Sequence, residues 1–410
     1  MNISELRHTM RARRADFPIL DSTINGKPLV YLDNGASTQR PLAVVEAERH
    51  YALTTHANVH RGVHTLSQRA TDAYEGARER VRRFINARSS DEVIFTKGTT
   101  ESINLIAQTF GRLLTAGDEI VISHLEHHAN IVPWQMLRES HGVILKVIPM
   151  TERGELDLNA AAALITERTK LLAVTMISNA LGTIVPVHDL IRMARAKGVP
   201  VLLDAAQAIG HQPIDVQALD CDFLAFSAHK LYGPDGLGVL YGKRDRLNAL
   251  PPWQGGGDMI LSVSFEKTIY NELPYRLEAG TPHMSGAVGL AAAIDYVEGL
   301  GFERILPWEQ HLLALATQRL SAIPKLRILG TAARKASVLS FVIDGIHPHD
   351  IGTILNEEGV AIRTGHHCAQ PAIDYFKVPA TARASFAFYN TEDEVEALAV
   401  AIEKTIALFE

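Results

Sequence analysis

Two apolar runs that follow each other constrain the fold more than any other feature of this sequence. Val199-Pro-Val-Leu-Leu-Asp204 and Cys221-Asp-Phe-Leu-Ala-Phe226 have the composition of buried strands. The first ends in a carboxylate, and the second leads into Ser227-Ala-His-Lys230 and a loop rich in glycine. In open α/β sheets, ligands bind beyond the carboxyl ends of the strands. The two runs therefore predict a lysine and an aspartate at neighbouring strand tips of one sheet.

The rest of the chain alternates strand patterns with helix patterns. Further strands are predicted at 28–33, 93–96, 119–123, 143–149, 171–177, 327–329 and 337–343. Helices are predicted at 42–53, 71–85, 187–197, 287–299, 308–320 and 349–358. This alternation indicates an α/β fold with a mostly parallel sheet. A chain of 410 residues is long enough for two domains. We predict an N-terminal arm at 1–24, a large domain at 25–298 and a smaller α+β domain at 299–410.

Composition excludes several classes of function. The net charge of −6 is spread along the chain without a basic run, so we expect neither nucleic acid nor an anionic membrane as partner. No apolar run approaches the roughly 18 residues of a membrane span, and no secretory signal is expected. Cys221 and Cys368 are the two cysteines, too few for a disulfide framework. Their number suits a reducing cytosol, so we expect a cytoplasmic protein.

Lys230 and Asp204 have the chemistry of a site for pyridoxal 5'-phosphate (PLP). The lysine amine forms a Schiff base with the cofactor, and the aspartate keeps the pyridine nitrogen protonated so that the ring accepts electrons. Either residue alone is explained as well by a surface lysine or a strand-end cap. Their pairing, together with the motifs that follow, favours the cofactor.

A phosphate cradle is predicted where strand 93–96 leads through Lys97-Gly-Thr-Thr100 into a helix. Exposed N–H groups at a helix start suit a phosphate, as do the hydroxyls of Thr99 and Thr100. Threonine also caps helices routinely, so the motif is weak alone. It matches neither nucleotide-binding glycine pattern, which disfavours a nucleotide. A histidine of the segment His124-Leu-Glu-His-His-Ala-Asn130, after strand 119–123, either stacks on the cofactor ring or only caps a turn.

A polar loop, Arg363-Thr-Gly-His-His-Cys368, lies in the C-terminal part. An arginine and two histidines beside Cys368 favour its thiolate. The alternative is a buried inert cysteine, which is the fate expected for Cys221. Adjacent residues rarely converge on one tetrahedral ion, so no metal is expected here. Arg383, in an apolar strand, suits bidentate recognition of a carboxylate, or else pairs with an internal acid.

Taken together, these motifs resemble the PLP-dependent cysteine desulfurases of the SufS/CsdA type (group II), within the class-V aminotransferases of fold type I. The resemblance extends from Tyr31 to Thr391. Its most specific pieces are Glu126-His-His-Ala-Asn-Ile-Val-Pro-Trp134, Asp204-Ala-Ala-Gln207, Ser227-Ala-His-Lys230 and Arg363-Thr-Gly-His-His-Cys-Ala369. It implies a large domain with a mostly parallel seven-stranded sheet and a smaller C-terminal α+β domain.

The resemblance also implies a role for each site residue. Lys230 carries the cofactor and moves the substrate's α-proton, Cys368 takes the substrate sulfur, and His127 stacks on the ring. Cofactor contacts are implied for Thr99, Thr100, Asp204, Gln207, Ser227, His229 and Thr281. Substrate contacts are implied for Asn179, Arg363, Arg383, His60 and Arg61. Thr281 and the His60-Arg61 segment are implied to reach the site of the other subunit in a homodimer.

The activity implied by the resemblance is conversion of L-cysteine to L-alanine, with the sulfur held on Cys368 as a persulfide. An acceptor protein of the SufE type then takes it for iron–sulfur cluster assembly, and L-selenocysteine is a second expected substrate. An aminotransferase or another PLP-dependent β-lyase is the alternative enzyme, because one fold hosts many reactions. Neither of those reactions needs Cys368. A non-catalytic metal- or sulfur-binding scaffold is the third possibility.

Overall fold

The structure is a computed structural model that describes residues 2–410. Within that range the large unit is built on a seven-stranded sheet in which one strand is antiparallel and the other six are parallel. In spatial order its strands are Val93–Thr96, Gly238–Gly242, Phe223–Ser227, Val201–Asp204, Thr169–Thr175, Glu119–Ser123 and Ile144–Ile148. The predicted mostly parallel α/β sheet is confirmed.

The odd strand is Gly238–Gly242, which runs antiparallel to both neighbours. The glycine-rich stretch before it predicts a loop, and the strand itself was not among the predicted elements. Its apolar Val-Leu-Tyr centre is buried between the edge strand Val93–Thr96 and strand Phe223–Ser227. Gly238 permits this position, because a Cβ there would lie 2.4 Å from the Cα of Gly98. The backbone of the sheet can therefore approach the predicted phosphate loop closely.

Helices cover both faces of the sheet and extend into the C-terminal part. They are Ile3–Arg14, Leu42–Thr54, Thr65–Phe84, Thr99–Phe110, Val132–His141, Leu158–Leu164, Val187–Arg195, Val216–Leu219, Arg244–Ala249, Met284–Leu300, Phe302–Ser321, Pro348–Glu357, Gln370–Asp374 and Glu392–Ala407. The helix predicted at 71–85 begins earlier, at Thr65, because the His64 side chain accepts the Ser67 N–H and caps the first turn. None of the helices within residues 2–410 is long and apolar enough to cross a membrane.

The C-terminal part forms a separate antiparallel sheet. Its strands, in spatial order, are Leu326–Leu329, Val338–Ile343, Thr381–Ser385 and Arg363–Gly365. Helices Phe302–Ser321 and Pro348–Glu357 pack on it, and helix Glu392–Ala407 packs on those two helices. This arrangement confirms the smaller α+β unit, and it carries both Arg383 and the loop that follows Arg363.

Short strands complete the chain. Thr23–Ile24 pairs with Lys27–Pro28, and Ile260–Val263 pairs with Thr268–Tyr270 as an exposed hairpin. Val30–Tyr31 pairs in parallel with Val360–Ala361. The N-terminal helix packs on helix Phe302–Ser321, where Arg7 bonds to Glu392. The chain before residue 32 therefore contacts the C-terminal unit, and the boundaries at 24 and 298 stay predictions.

Candidate active site

A cavity of about 240 Å³ opens at the carboxyl ends of the central strands, between the two units. Most of the predicted site residues line it, although they come from distant parts of the chain. These residues are Thr99, Thr100, His127, Asn179, Asp204, Gln207, Ser227, His229, Lys230, Arg363, Cys368 and Arg383. Three of the predicted residues, His60, Arg61 and Thr281, are not among those that line it.

Lys230 and Asp204 face the cavity from adjacent parallel strands. Asp204 ends strand Val201–Asp204, and Lys230 lies in the turn after Phe223–Ser227. Burial lowers the pKa of Lys230 to about 8, while the charge of Asp204 works against this shift. An amine with this pKa is partly neutral near pH 8, the form that adds to an aldehyde.

Asp204 is itself buried, and burial raises the pKa of its carboxyl. Its Oδ1 accepts the N–H of Ala206 at 2.9 Å. Within residues 2–410, Oδ2 receives no hydrogen bond. A buried carboxylate oxygen that faces the cavity and receives no hydrogen bond is suited to accept the N–H of a pyridinium ring. This end of the cavity therefore fits PLP.

The opposite end of the cavity has the features of a phosphate cradle. Helix Thr99–Phe110 begins there, with Gly98 as its N-cap. The Ser227 hydroxyl accepts the Thr99 N–H at 2.8 Å and lies 2.7 Å from the Thr99 hydroxyl. His229 lies beside this group, and burial lowers its pKa to about 4. Free N–H groups of the first helical turn and these hydroxyls can donate to a phosphate.

His127 borders the cavity as a neutral ring. Its Nδ1 accepts the Ala129 N–H at 3.0 Å, which places the ring proton on Nε2. Burial, followed by the charge of Lys230, lowers the pKa of His127 to about 4. Gln207 donates from Nε2 to the Gly35 carbonyl at 2.7 Å, which fixes the orientation of its amide. Both side chains are therefore pre-oriented toward the cavity.

Arg383 is almost completely buried at the cavity wall. Its Nη1 donates to the Asn179 carbonyl at 2.9 Å, and its Nη2 donates to Asp33 Oδ1 at 2.9 Å. Arg363 lies farther out, 3.8 Å from Asp33 Oδ2. The predicted alternative of pairing with an internal acid is confirmed, and recognition of a substrate carboxylate by Arg383 stays a prediction. The sequence reasoning missed Asp33, which it treated only as the end of a short strand.

The Arg383–Asp33 pair leaves the arginine short of partners. Burial lowers the pKa of Arg383 and raises the pKa of Asp33, so the cost of desolvation exceeds the benefit of pairing for both groups. Arg383 Nε is buried and makes no hydrogen bond within residues 2–410. A buried guanidinium with an unpaired N–H is stabilised when a second anion binds beside it. A carboxylate is a group that can pair with a guanidinium in this way.

Cys368 lines the cavity on an exposed loop of unusual backbone geometry. His367 and Cys368 both have φ of 54°, a left-handed conformation that costs non-glycine residues about 1–3 kcal/mol each. The Cys368 carbonyl accepts the His128 N–H at 2.6 Å, and the His367 carbonyl accepts the Asn179 amide at 2.6 Å. Strained loops persist only when surrounding contacts hold them, and here contacts hold both residues.

The predicted help of His367 in ionising the thiol is wrong. His367 is buried, and its Nε2 lies 2.7 Å from the Thr381 hydroxyl. Burial and the nearby arginines lower the pKa of His367 to about 2, so the ring is neutral at any working pH. Arg363 remains as a cation on the same loop. Cys221 is buried as expected, and burial raises its pKa to about 12.

Glu126 is a second residue whose position the sequence reasoning missed. Its Oε1 accepts the Thr175 N–H at 3.0 Å and bonds to the Ser123 hydroxyl, and its Oε2 accepts the Asn130 amide at 2.7 Å. Burial raises the pKa of Glu126 to about 8. This carboxyl joins two strand ends to the turn that carries His127. The acid and amide four residues apart were the available signal.

His60, Arg61 and Thr281 lie away from this cavity. His60 Nε2 contacts Glu75, and Arg61 contacts Asp258. Thr281 is exposed on a turn that borders a different cavity. One chain therefore does not bring these residues to its own Lys230.

The fold and the site together define a class of protein. A lysine and a carboxylate at adjacent strand tips, with hydroxyls at a helix start and a histidine on the same cavity wall, are the arrangement of a PLP-dependent enzyme of fold type I.

Comparison with known proteins extends this classification. Residues 30–398 match the family model described as aminotransferase class-V. A cysteine desulfurase from Dickeya dadantii is 51% identical over 393 residues, which cover 95% of each chain. One from Synechococcus elongatus is 52% identical over 392 residues, covering 95% of this chain but only 63% of that longer protein.

Solved structures agree with the sequence matches. The apo structure of a cysteine desulfurase from Thermococcus onnurineus superposes with a TM-score of 0.93 at 40% identity, covering 99% of both chains. An Escherichia coli cysteine desulfurase in its S-sulfonic acid form gives 0.90 at 40% identity, covering 100% of this chain and 99% of that one. The chain belongs to the class-V aminotransferase family, within its cysteine desulfurases, which are PLP-dependent enzymes.

Proposed function

We propose that this protein converts L-cysteine to L-alanine and holds the released sulfur on Cys368 as a persulfide. The observation that carries the proposal is the position of an exposed, strained cysteine in the same cavity as Lys230 and Arg383. A simple aminotransferase has no use for such a thiol. PLP, when bound, supplies an electron sink that weakens the bonds around the substrate's α-carbon.

The cavity residues divide the work between binding and proton transfer. Arg383, with Arg363 near the entrance, binds the substrate carboxylate, while Asn179 fixes the wall beside it. The Lys230 amine takes the α-proton and later returns one to the β-carbon of the product. Asp204 holds the pyridine end, and His127 covers the ring face. Thr99, Thr100, Ser227, His229 and Gln207 complete the cofactor contacts.

Cys368 performs the sulfur step. Its thiolate attacks the substrate sulfur, the new S–S bond forms, and the substrate's Cβ–S bond breaks. The electron pair of the broken bond stays on the β-carbon, which takes up a proton and leaves as alanine. One cysteine and one enzyme thiol thus give one alanine and one persulfide, with no outside oxidant.

Further steps of the proposal concern partners. We propose a homodimer in which His60, Arg61 and Thr281 complete the partner's site, because a single chain leaves them away from its own cavity. An acceptor protein of the SufE type would remove the sulfur for iron–sulfur cluster assembly. L-selenocysteine would also react, since selenium leaves carbon more readily. An exposed free thiol suits the reducing cytoplasm.

The decisive experiment compares the two cysteines. Cys368→Ala should keep PLP and show a cofactor spectral change with L-cysteine, yet form alanine roughly 100-fold more slowly, or worse, which corresponds to about 2.7 kcal/mol of barrier. Cys221→Ala, the matched control, should retain activity because that thiol is buried away from the cavity. Lysis of L-selenocysteine by Cys368→Ala should fall by less than about tenfold.

Mass spectrometry locates the sulfur directly. Wild-type protein mixed with L-cysteine, without reductant, should carry one extra sulfur on Cys368 and none on Cys221. Normal alanine production by Cys368→Ala, or a persulfide mapped to Cys221, would contradict the proposed sulfur step.

A further inference from the structure

One cluster around a buried arginine connects the two segments that lie outside the cavity of their own chain. The cluster consists of His60, Glu75, Arg78 and Glu278, and we call it the Arg78 cluster. His60 Nε2 lies 2.8 Å from Glu75 Oε1, and Glu75 in turn bonds to Arg78. Arg78 also bonds to Glu278, three residues before Thr281. The cluster therefore joins the His60-Arg61 segment to the Thr281 turn.

Arg78 is completely buried at the centre, and its five N–H donors match five contacts. Nε donates to Glu75 Oε2 at 2.9 Å, and Nη2 donates to Glu75 Oε1 at 3.4 Å. Nη1 and Nη2 donate to the two oxygens of Glu278 at 2.6 Å and 2.9 Å. Nη1 also donates to the Val93 carbonyl at 2.8 Å. A lysine, with a single ammonium, cannot reproduce this fork.

The neighbours of the cluster restrict both segments further. The Phe95 N–H donates to Glu278 Oε1 at 2.6 Å, and the Tyr74 hydroxyl donates to Glu278 Oε2 at 3.1 Å. The guanidinium lies 4.7 Å from the centre of the Phe95 ring. His60 has φ of 69°, a left-handed conformation that needs such support. These contacts therefore hold both segments against one helix, Thr65–Phe84.

The outer side of these segments has the character of an interface. Val63 is almost fully exposed, and so is Phe265 on the hairpin Ile260–Val263 to Thr268–Tyr270. Arg61 connects to that hairpin, because its Nη2 donates to the Ile260 carbonyl at 3.3 Å. Exposed apolar groups concentrated beside polar ones mark a protein–protein surface. A second copy of the chain is the partner that the proposed function places there.

We propose that Arg78 is a positioning residue that acts in trans: it sets the geometry of the His60-Arg61 segment and the Thr281 turn, which complete the active site of the partner subunit. This inference rests on the homodimer of the proposed function. A buried ion cluster can also serve stability alone, and removal of one member typically costs stability. The test must therefore separate a trans effect on the partner's site from a defect of the subunit that carries the change.

Mixed dimers make this separation. Subunits with Arg78→Lys and subunits with Lys230→Ala are co-expressed with different tags, and the heterodimer is purified with PLP. The Arg78→Lys homodimer should lose at least about tenfold in kcat/KM, and the Lys230→Ala homodimer should be inactive. In the heterodimer, one site combines an intact Lys230 with an intact Arg78 cluster from the other subunit. Activity per dimer should therefore return to about half of wild type.

A second readout identifies the subunit that reacts. After a pulse of L-cysteine, mass spectrometry should find the extra sulfur on Cys368 of the Arg78→Lys subunit. Glu278→Gln, which removes the negative charge and one of the two acceptor oxygens that Arg78 contacts, should behave in the same way and guards against a folding defect peculiar to Arg78→Lys. Heterodimers that stay at the level of the Arg78→Lys homodimer would overturn the trans role.

An exposed control separates this inference from the proposed function. Arg61→Ala keeps the Arg78 cluster, and it should be impaired alone and rescued by the Lys230→Ala subunit. A monomeric protein, or an impaired Arg61→Ala variant that is not rescued, refutes the trans placement in the proposed function and the present inference with it. Rescue of Arg61→Ala without rescue of Arg78→Lys refutes the role of Arg78 alone.

Discussion

Replacing Asp33 with asparagine should destabilise the free protein and make its cavity respond more strongly to carboxylates. Asp33 is the acid that balances the buried Arg383 guanidinium, at 2.9 Å. Asparagine preserves the shape and one acceptor oxygen but removes the charge. The arginine side chain is only 2% exposed, so its charge would remain without a close counter-ion.

The magnitude follows from the burial of the two partners. Loss of one member of a buried ion pair costs about 3–5 kcal/mol. Asp33 is 22% exposed, and asparagine still accepts a hydrogen bond, so we expect about 2–3 kcal/mol. Asp393→Asn is the matched control, because Asp393 is 80% exposed in its pair with Arg11. That exposed pair should contribute less than about 1 kcal/mol.

Denaturant unfolding of the PLP-free protein, with and without propionate, measures both effects. A monocarboxylate can replace the lost charge, so propionate should stabilise Asp33→Asn more than wild type. A recovery of 2 kcal/mol corresponds to about 30-fold tighter binding of the anion. If Asp33→Asn is as stable as Asp393→Asn, or if propionate affects variant and wild type equally, Asp33 is not the counter-ion that controls Arg383.

Two further predictions concern the cofactor end. Because the pKa of Lys230 is lowered to about 8, its rate of Schiff-base formation with PLP, measured by borohydride trapping, should rise with pH and level off above about pH 8. A rate that keeps rising to about pH 10 would indicate an ordinary lysine. Gly238→Ala puts a Cβ 2.4 Å from the Gly98 backbone, so it should cost about 1–3 kcal/mol and weaken PLP retention in equilibrium dialysis. Gly76→Ala, on an open helix surface, should instead stabilise by up to about 1 kcal/mol, and equal effects of the two changes would contradict the close approach.

Sequence patterns were sufficient for the parts of the fold that depend on local order. The strands at 93–96 and 119–123 were predicted with their observed bounds, because runs of four or five residues rich in β-branched residues are too short for a helix. The strand Gly238–Gly242 was missed, since glycine is unfavourable in strands. Glycine is needed at its start because the backbone of Gly98, the N-cap of helix Thr99–Phe110, lies against it. Such non-local requirements leave no periodic signal.

The candidate site shows the same division. Lys230 and Asp204 could be placed at strand tips because each follows a recognisable strand. Asp33 could not be assigned, because its partner Arg383 lies 350 residues away in sequence. For Glu126 the partner Asn130 gave a local signal, but the contact with Thr175 on another strand did not. The prediction for His367 was wrong for a different reason. A histidine near a cysteine suggests a positive charge, but burial and the nearby charge of Arg383 keep this ring neutral.

Asn179 connects the two halves of the proposed reaction. Its carbonyl accepts Arg383 Nη1, and its side-chain amide donates to the His367 carbonyl, directly before Cys368. On the other side, the Cys368 carbonyl accepts the His128 N–H, next to His127, which lines the cavity. The group that would bind the substrate carboxylate, the loop that would receive the sulfur and the cofactor wall therefore share one set of hydrogen bonds. A loop tied at both consecutive strained residues has little freedom to carry sulfur outward, which is why an acceptor that comes to the exposed Cys368 suits this structure better than a swinging loop.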